Sequence, residues 1–321
     1  MNPAAFSDTC ERILREVGRV LVGQDELAEQ VLAAILARGH VLIEGVPGLG
    51  KTLLVRTLAR VLGCESKRIQ FTPDLMPTDV TGGNVFNQRT QSFDFVPGPV
   101  FTQLLLADEI NRAPAKTQSA LLEAMQEGRV TTDGQARALP RPFFVVATQN
   151  PVESQGTYPL PEAQLDRFLL KVEVGYPSTT VEKQILQNHV AGFDAASLDE
   201  VGIEQIVAAA EVEKMQLALA EIRVDEGILD YIVDVVGRTR AHRSIDLGAS
   251  PRASIALLAG ARATAAIRGR DFVIPDDVKA LAPAVLRHRI ILAPDAEFEG
   301  LSADECIREV LDEATVPKSA A

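Results

Sequence analysis

The sequence predicts an α/β core, with a parallel sheet flanked by helices, followed by a smaller all-α domain. Three observations carry this. Short apolar runs alternate with helix-periodic segments up to about residue 175, only the helical period continues past about residue 200, and a glycine-rich loop joins the first strand to its helix. At 321 residues the chain is longer than a single core of roughly 250–300 residues supports. It divides into residues 1–175 as the α/β core, 176–200 as a linker and 201–321 as the helical domain.

The strands fall near 41–44, 68–71, 103–107 and 143–147, as apolar runs of the kind expected when both faces of a sheet are covered. Helical periodicity runs near 7–20, 24–37, 52–62, 115–126 and 161–165, then near 203–214, 225–237, 251–268 and 275–288. Two of these helices have clear starts: Ser250 precedes Pro251, and Pro275 precedes Asp276 and Asp277. The connection near 175–200 carries "YPSTT" and a mixed helix. Two stretches read as insertions into the core. Asp79 to Phe101 holds Gly82–Gly83 and a strand-like pair around "NQRTQ", and Gly128 to Arg141 holds Asp133–Gly134, a hairpin-turn signal. Near the end, Ala303 to Leu311 reads as a helix suited to docking on the helical domain, with the last few residues disordered.

Composition narrows the function. The chain has 32 basic and 44 acidic residues, a net charge of −12, which argues against broad electrostatic binding to nucleic acid. No apolar run approaches the roughly 20 residues that span a bilayer, and the first residues lack the basic and apolar regions of a secretory signal. Cys10, Cys64 and Cys306 are few and far apart, and His40, His189, His242 and His288 are scattered. A reduced cytoplasmic protein without structural zinc is expected.

The chemistry begins at "LIEGVPGLGKTLLVRTLARVLG", Leu42 to Gly63. Val41, Leu42 and Ile43 form a strand. Leu54, Val55, Leu58, Ala59 and Leu62 mark a helix face, with Gly63 at its C′ position. Gly45, Gly48 and Gly50 allow the loop between them to turn its amides toward one anion, beside a helix N-terminus. Lys51 reaches phosphate oxygens and Thr52 supplies a hydroxyl for Mg²⁺, as in a P-loop. Gly45, Pro47, Gly48, Leu49, Gly50, Lys51, Thr52 and Leu53 therefore form the candidate ATP/ADP site. In "LLLADEI", Asp108 lies just past a buried strand and is suited to a second Mg²⁺ contact, while Glu109 can polarise an attacking water. "FFVVATQNP" is a third strand with a polar exit, where a neutral amide can orient that water or touch the γ-phosphate.

This order of elements is similar to that of AAA+ ATPases. "GVPGLGKT", "ADEINRAPAKTQSALLEAMQEG", "ATQNPVESQGTYPLPEAQLDRF", "GASPRA" and "GRDFVIPDDV" resemble the MoxR family in particular, over about residues 20–292. The resemblance implies Asn150 as sensor 1, Arg167 as an arginine finger reaching the neighbouring subunit, and Arg252 as sensor 2, linking γ-phosphate to the lid. It implies that Val22, Gly23 and Gln24 line the adenine pocket. Residues 79–101 would be the helix-2 insert and 128–141 the pre-sensor-1 hairpin, both at the pore or rim of a ring. It implies Mg²⁺-dependent hydrolysis of ATP to ADP and phosphate by a homo-oligomer, a hexamer by analogy. The expected role is chaperone-like remodelling, with partners carrying a von Willebrand factor A domain. A nucleic-acid-dependent motor and a nucleotide-gated scaffold with little turnover stay open as alternatives. The negative charge speaks against the first and Glu109 against the second. Arg252, in the first turn of a helix, opposes the helix dipole, which favours an anionic partner there. Arg287, His288 and Arg289 read as a solvated or subunit-facing patch.

Overall fold

The computed structural model describes residues 2–151, 157–194, 198 and 201–317. Helix α1 (Pro3–Gly18) starts where the Asn2 side chain accepts a hydrogen bond from the Ala4 amide, and α2 (Asp25–Leu36) follows. Strand β1 (Val41–Glu44) leads through the glycine loop into α3 (Lys51–Val61). Next come β2 (Ser66–Gln70), the short α4 (Pro77–Thr81) and a hairpin of β3 (Gly82–Asn87) and β4 (Ser92–Pro97). Strand β5 (Leu104–Asp108), α5 (Ala115–Glu127) and a second hairpin of β6 (Arg129–Thr132) and β7 (Gln135–Ala138) follow. Strand β8 (Phe144–Gln149), α6 (Glu162–Leu165) and β9 (Leu170–Glu173) complete the α/β part.

The five-stranded sheet has the order β2-β5-β8-β1-β9 and every pairing is parallel. Successive residues of its central strands serve opposite faces. Val41 and Ile43 belong to one core with Leu104, Leu106 and Val146, and Leu42 to the other with Leu105, Val145 and Ala147. That is why these strands read as unbroken apolar runs. β9 was not among the expected strands. It is a four-residue edge strand whose Lys171 faces Glu44 at 2.9 Å, so it lacks the apolar run that marks its neighbours.

The remaining elements are α7 (Thr179–Val190), α8 (Ala209–Ala218), α9 (Glu226–Thr239), β10 (Ile245–Leu247), α10 (Pro251–Ile267), α11 (Pro275–Leu286), β11 (Ile291–Leu292), α12 (Pro294–Phe298) and α13 (Ala303–Glu313). Two expectations are corrected here. Strands do not stop at residue 200, because β10 and β11 pair antiparallel; they are too short to show a period. The helix expected from 203 begins only at 209, because residues 203–208 run along α3 instead, with the Ile206 and Val207 amides both bonded to the Val61 carbonyl. Ser250 caps α10 as expected, accepting from the Arg252 amide.

Both insertions are hairpins. Asp133 and Gly134 take φ of 50° and 77° at the second turn, and the Asn84 amide reaches the Asp133 carboxylate, tying the hairpins together. Helices α10 and α11 pack in the same core as α1, α2 and α3, so the helical part sits on that face of the sheet. Helix α13 docks through Cys306, Ile307 and Val310. The expectation for the last residues falls on 318–321, outside the described residues. Arg287, His288 and Arg289 are not a solvated patch: the His288 ring is buried and the Arg289 side chain is 4% exposed. No helix among the described residues is long and apolar enough to cross a membrane.

Candidate active site

The carboxyl ends of β1, β5 and β8 open on one cavity of about 670 Å³, a size suited to a nucleotide. At its floor, Gly48 and Gly50 take φ of 87° and 77°. A Cβ on either would stand in open space, so the loop presents bare backbone to whatever fills the cavity. Pro47, Leu49, Lys51, Thr52 and Leu53 border the same space. Gly45 sits just behind, where a Cβ would meet the Val174 carbonyl at 2.7 Å. The Lys51 ammonium curls back to donate to the Gly45 carbonyl. Burial lowers its pKa, against the opposing pull of Asp108, Glu109 and Glu44. A phosphate in the loop would satisfy both the ammonium and the unpaired helix amides.

The second wall is the end of β5. Asp108 accepts from the Thr148 hydroxyl at 2.6 Å, and the same hydroxyl accepts from the Glu109 amide at 2.8 Å. Thr148, on β8, therefore fixes both acids at once. Glu109 needs this support, because its backbone is left-handed (φ 56°, ψ 51°), a conformation that costs a non-glycine residue about 1–3 kcal/mol. Its carboxylate accepts from Gln70 at 2.7 Å and from Arg112 at 2.9 Å. The other oxygen of Asp108 is held by Arg68, at 2.7 and 3.1 Å. Sequence reasoning missed Arg68, Gln70, Arg112 and the role of Thr148. Asn150, 6% exposed, borders the cavity beside them.

The donor set suits a hard cation. Thr52 and Asp108 bring a hydroxyl and a carboxylate to one cavity, as required for Mg²⁺ carried in by nucleotide phosphates. Among the described residues no cluster of three or more His, Cys, Asp or Glu could hold a metal.

The third wall is largely apolar. Val22 and Gln24 form one side, and α7, with Ile185 and nearby Phe193, forms the other. Gly23 packs so closely on α7 that a Cβ would meet Val181 at 2.5 Å. The supposed linker is thus part of the cavity.

Two predicted residues are not brought into this cavity. Arg167 is half-buried beside Glu123 and Glu127 of α5, and among the described residues its guanidinium has no hydrogen-bond or ion-pair partner. Arg252 is exposed and lies 3.6 Å from Asp166, the residue before Arg167.

With this geometry in place, residues 40–170 match the family described as "ATPase family associated with various cellular activities (AAA)", and residues 237–310 match the AAA lid domain. The chain is 47% identical to Chaperone MoxR1 of Mycobacterium tuberculosis, over 98% of this chain and 84% of that protein. The chain belongs to the MoxR family of AAA+ ATPases. The chain is also 50% identical to the uncharacterised protein YeaC of Bacillus subtilis, over 95% of this chain and 94% of that one. A crystal structure of a protein from Cytophaga hutchinsonii superposes with a TM-score of 0.89 at 40% identity, covering 98% of this chain and 97% of the other. The MoxR-family assignment accounts for the P-loop, the paired acids on β5 and the helical lid on one chain.

Proposed function

We propose that this MoxR-family ATPase hydrolyses ATP at sites shared between subunits of a ring, a hexamer by analogy, and uses the cycle to remodel partner proteins. The observation that carries the reading is the position of Arg167. It stands outside its own nucleotide cavity, and among the described residues its charge is unpaired, as that of a residue serving a neighbour's site would be. Arg252 stands on the same side through Asp166. Its role is therefore read as directed at the neighbour too, rather than at its own γ-phosphate.

In the proposed site Gly48, Gly50 and Lys51 hold phosphates, and Glu109 with Asn150 orients the attacking water. Val22, Gly23 and Gln24 line the base. Thr52 and Asp108 would hold Mg²⁺, which when bound neutralises phosphate charge. Residues 1–175 and 201–321 are the two working parts. A chaperone-like role is supported by the name of the mycobacterial relative. A partner with a von Willebrand factor A domain and a cytoplasmic location follow from the family resemblance.

The test is ATPase rate per subunit against protein concentration, for the parent and for Arg167→Ala. An arginine finger contributes roughly 10³–10⁵ in kcat, or about 4–7 kcal/mol. The rate should rise with assembly and collapse in the variant while ATP binding is kept. A concentration-independent rate indifferent to Arg167 would end the shared-site reading.

A further inference from the structure

The run Arg287–His288–Arg289 leaves α11 and lies along residues 166–171, the segment that bears Arg167 and enters β9. Arg289 Nε donates to Asp166 Oδ1 at 2.7 Å, Nη1 to the Leu169 carbonyl at 3.1 Å, and Nη2 to the carbonyls of Phe168 and Asp166 at 2.6 and 3.4 Å. Nη1 also donates to the Val285 carbonyl at the end of α11. His288 Nε2 donates to Phe168 O at 3.1 Å, and Arg287 Nη1 donates to Lys171 O at 3.3 Å while its other nitrogens grip Asp304 of α13.

Three consecutive side chains of the helical part thus bind the backbone on both sides of Arg167, and Phe168 is itself fully buried. A buried guanidinium is a poor way to gain stability, since an apolar side chain of similar volume often does as well. Its planar fork is a good way to fix several acceptors in one geometry. Arg167 lies between two gripped residues, and among the described residues its own guanidinium has no partner.

We propose that Arg289 is a positioning residue for activation in trans: it locks residues 166–169 to the helical part, so that Arg167 is presented to the adjacent subunit and travels with the lid. This rests on the reading that Arg167 completes a neighbour's site. Nucleotide state in one subunit, by moving its lid, would then move the arginine that serves the next.

The test is complementation between inactive variants. Glu109→Gln has a dead site and an intact Arg167, and Arg167→Ala has the reverse. Mixing them should restore ATPase activity, which establishes the shared site. Arg289→Ala alone should lose roughly 10²-fold in turnover, the scale of an ångström-level misplacement, with affinity for a fluorescent ATP analogue kept. Mixed with Glu109→Gln it should regain activity, because its own site then receives a well-placed arginine. If the Arg167→Ala pair recovers but Arg289→Ala either retains the parent rate or is slow and not rescued, the proposal fails, the second outcome marking a merely structural lesion. If the Arg167→Ala pair does not recover, the shared-site reading fails first and takes this inference with it. Should Arg289→Ala not fold, Arg289→Lys keeps the charge near Asp166 but loses the fork, and the same rescue is required of it.

Discussion

At the residue scale, Arg68 places a guanidinium on Oδ2 of Asp108, a residue of the cavity wall. A cation arriving with nucleotide must compete with it. The pair is half exposed on the arginine side, so it is worth about 0.2–1 kcal/mol. Arg68→Ala should therefore lower the Mg²⁺ concentration for half-maximal ATP-analogue binding by roughly 1.5- to 5-fold. An unchanged or raised Mg²⁺ requirement would show that Arg68 does not compete there. Residues whose place at the cavity depends on chain neighbours were legible in the sequence: Lys51 and Thr52 follow their glycines, and Asp108 and Glu109 end an apolar strand. Arg68, Gln70 and Thr148 were not, because their roles depend on β2 and β8 flanking β5, and strand order is not written locally.

At the scale of elements, the same division holds. The buried strands β1, β5 and β8 announced themselves as apolar runs and the long helices by period, while β9, β10 and β11 were too short or too charged to do so. Helix α7 is the instructive case. None of its residues is buried, so its apolar stripe is incomplete and reads as a mixed helix in a linker. Two of its apolar positions point inward: Ile185 is on the cavity wall and Val181 packs against Gly23. Gly23 is at φ 72° and has no room for a methyl group. Gly23→Ala should push α7 outward at about 1–3 kcal/mol of overpacking, weakening ATP-analogue binding about tenfold. Adding Val181→Ala should recover part of that loss by clearing the contact. Unaltered affinity in Gly23→Ala would remove α7 from the nucleotide site.

At the scale of the whole molecule, two buried imidazoles tie the sheet to what covers it. His40 accepts from the Val145 amide at Nδ1 and donates from Nε2 to the Met125 carbonyl, bridging β8 and α5 as a neutral ring. Burial lowers its pKa to about 4, despite the bond to Met125. His288 joins the helical part to the segment before β9; burial, with Arg289, Lys171 and Arg287 close by, holds its pKa well below the ordinary value. In both cases the unfolded chain binds a proton near pH 6.5 that the folded chain refuses. Stability is therefore fully present above about pH 6.5 and declines as pH falls below it, by at most about 1.4 kcal/mol per pH unit for each histidine. For His40 the decline ends near pH 4, after about 3 kcal/mol. Depressed carboxylates such as Asp234 act in the same direction, but only nearer and below their own lower range. Urea unfolding followed between pH 7 and 4.5 should thus show a falling midpoint, with the unfolded state taking up more than one proton at the steepest point. His40→Gln, which can still donate and accept in place of the ring, should lose close to one proton of that slope. A pH-independent midpoint across this window would mean that both rings take up protons in the folded state, and that the sheet and its coverings are less tightly closed than these hydrogen bonds require.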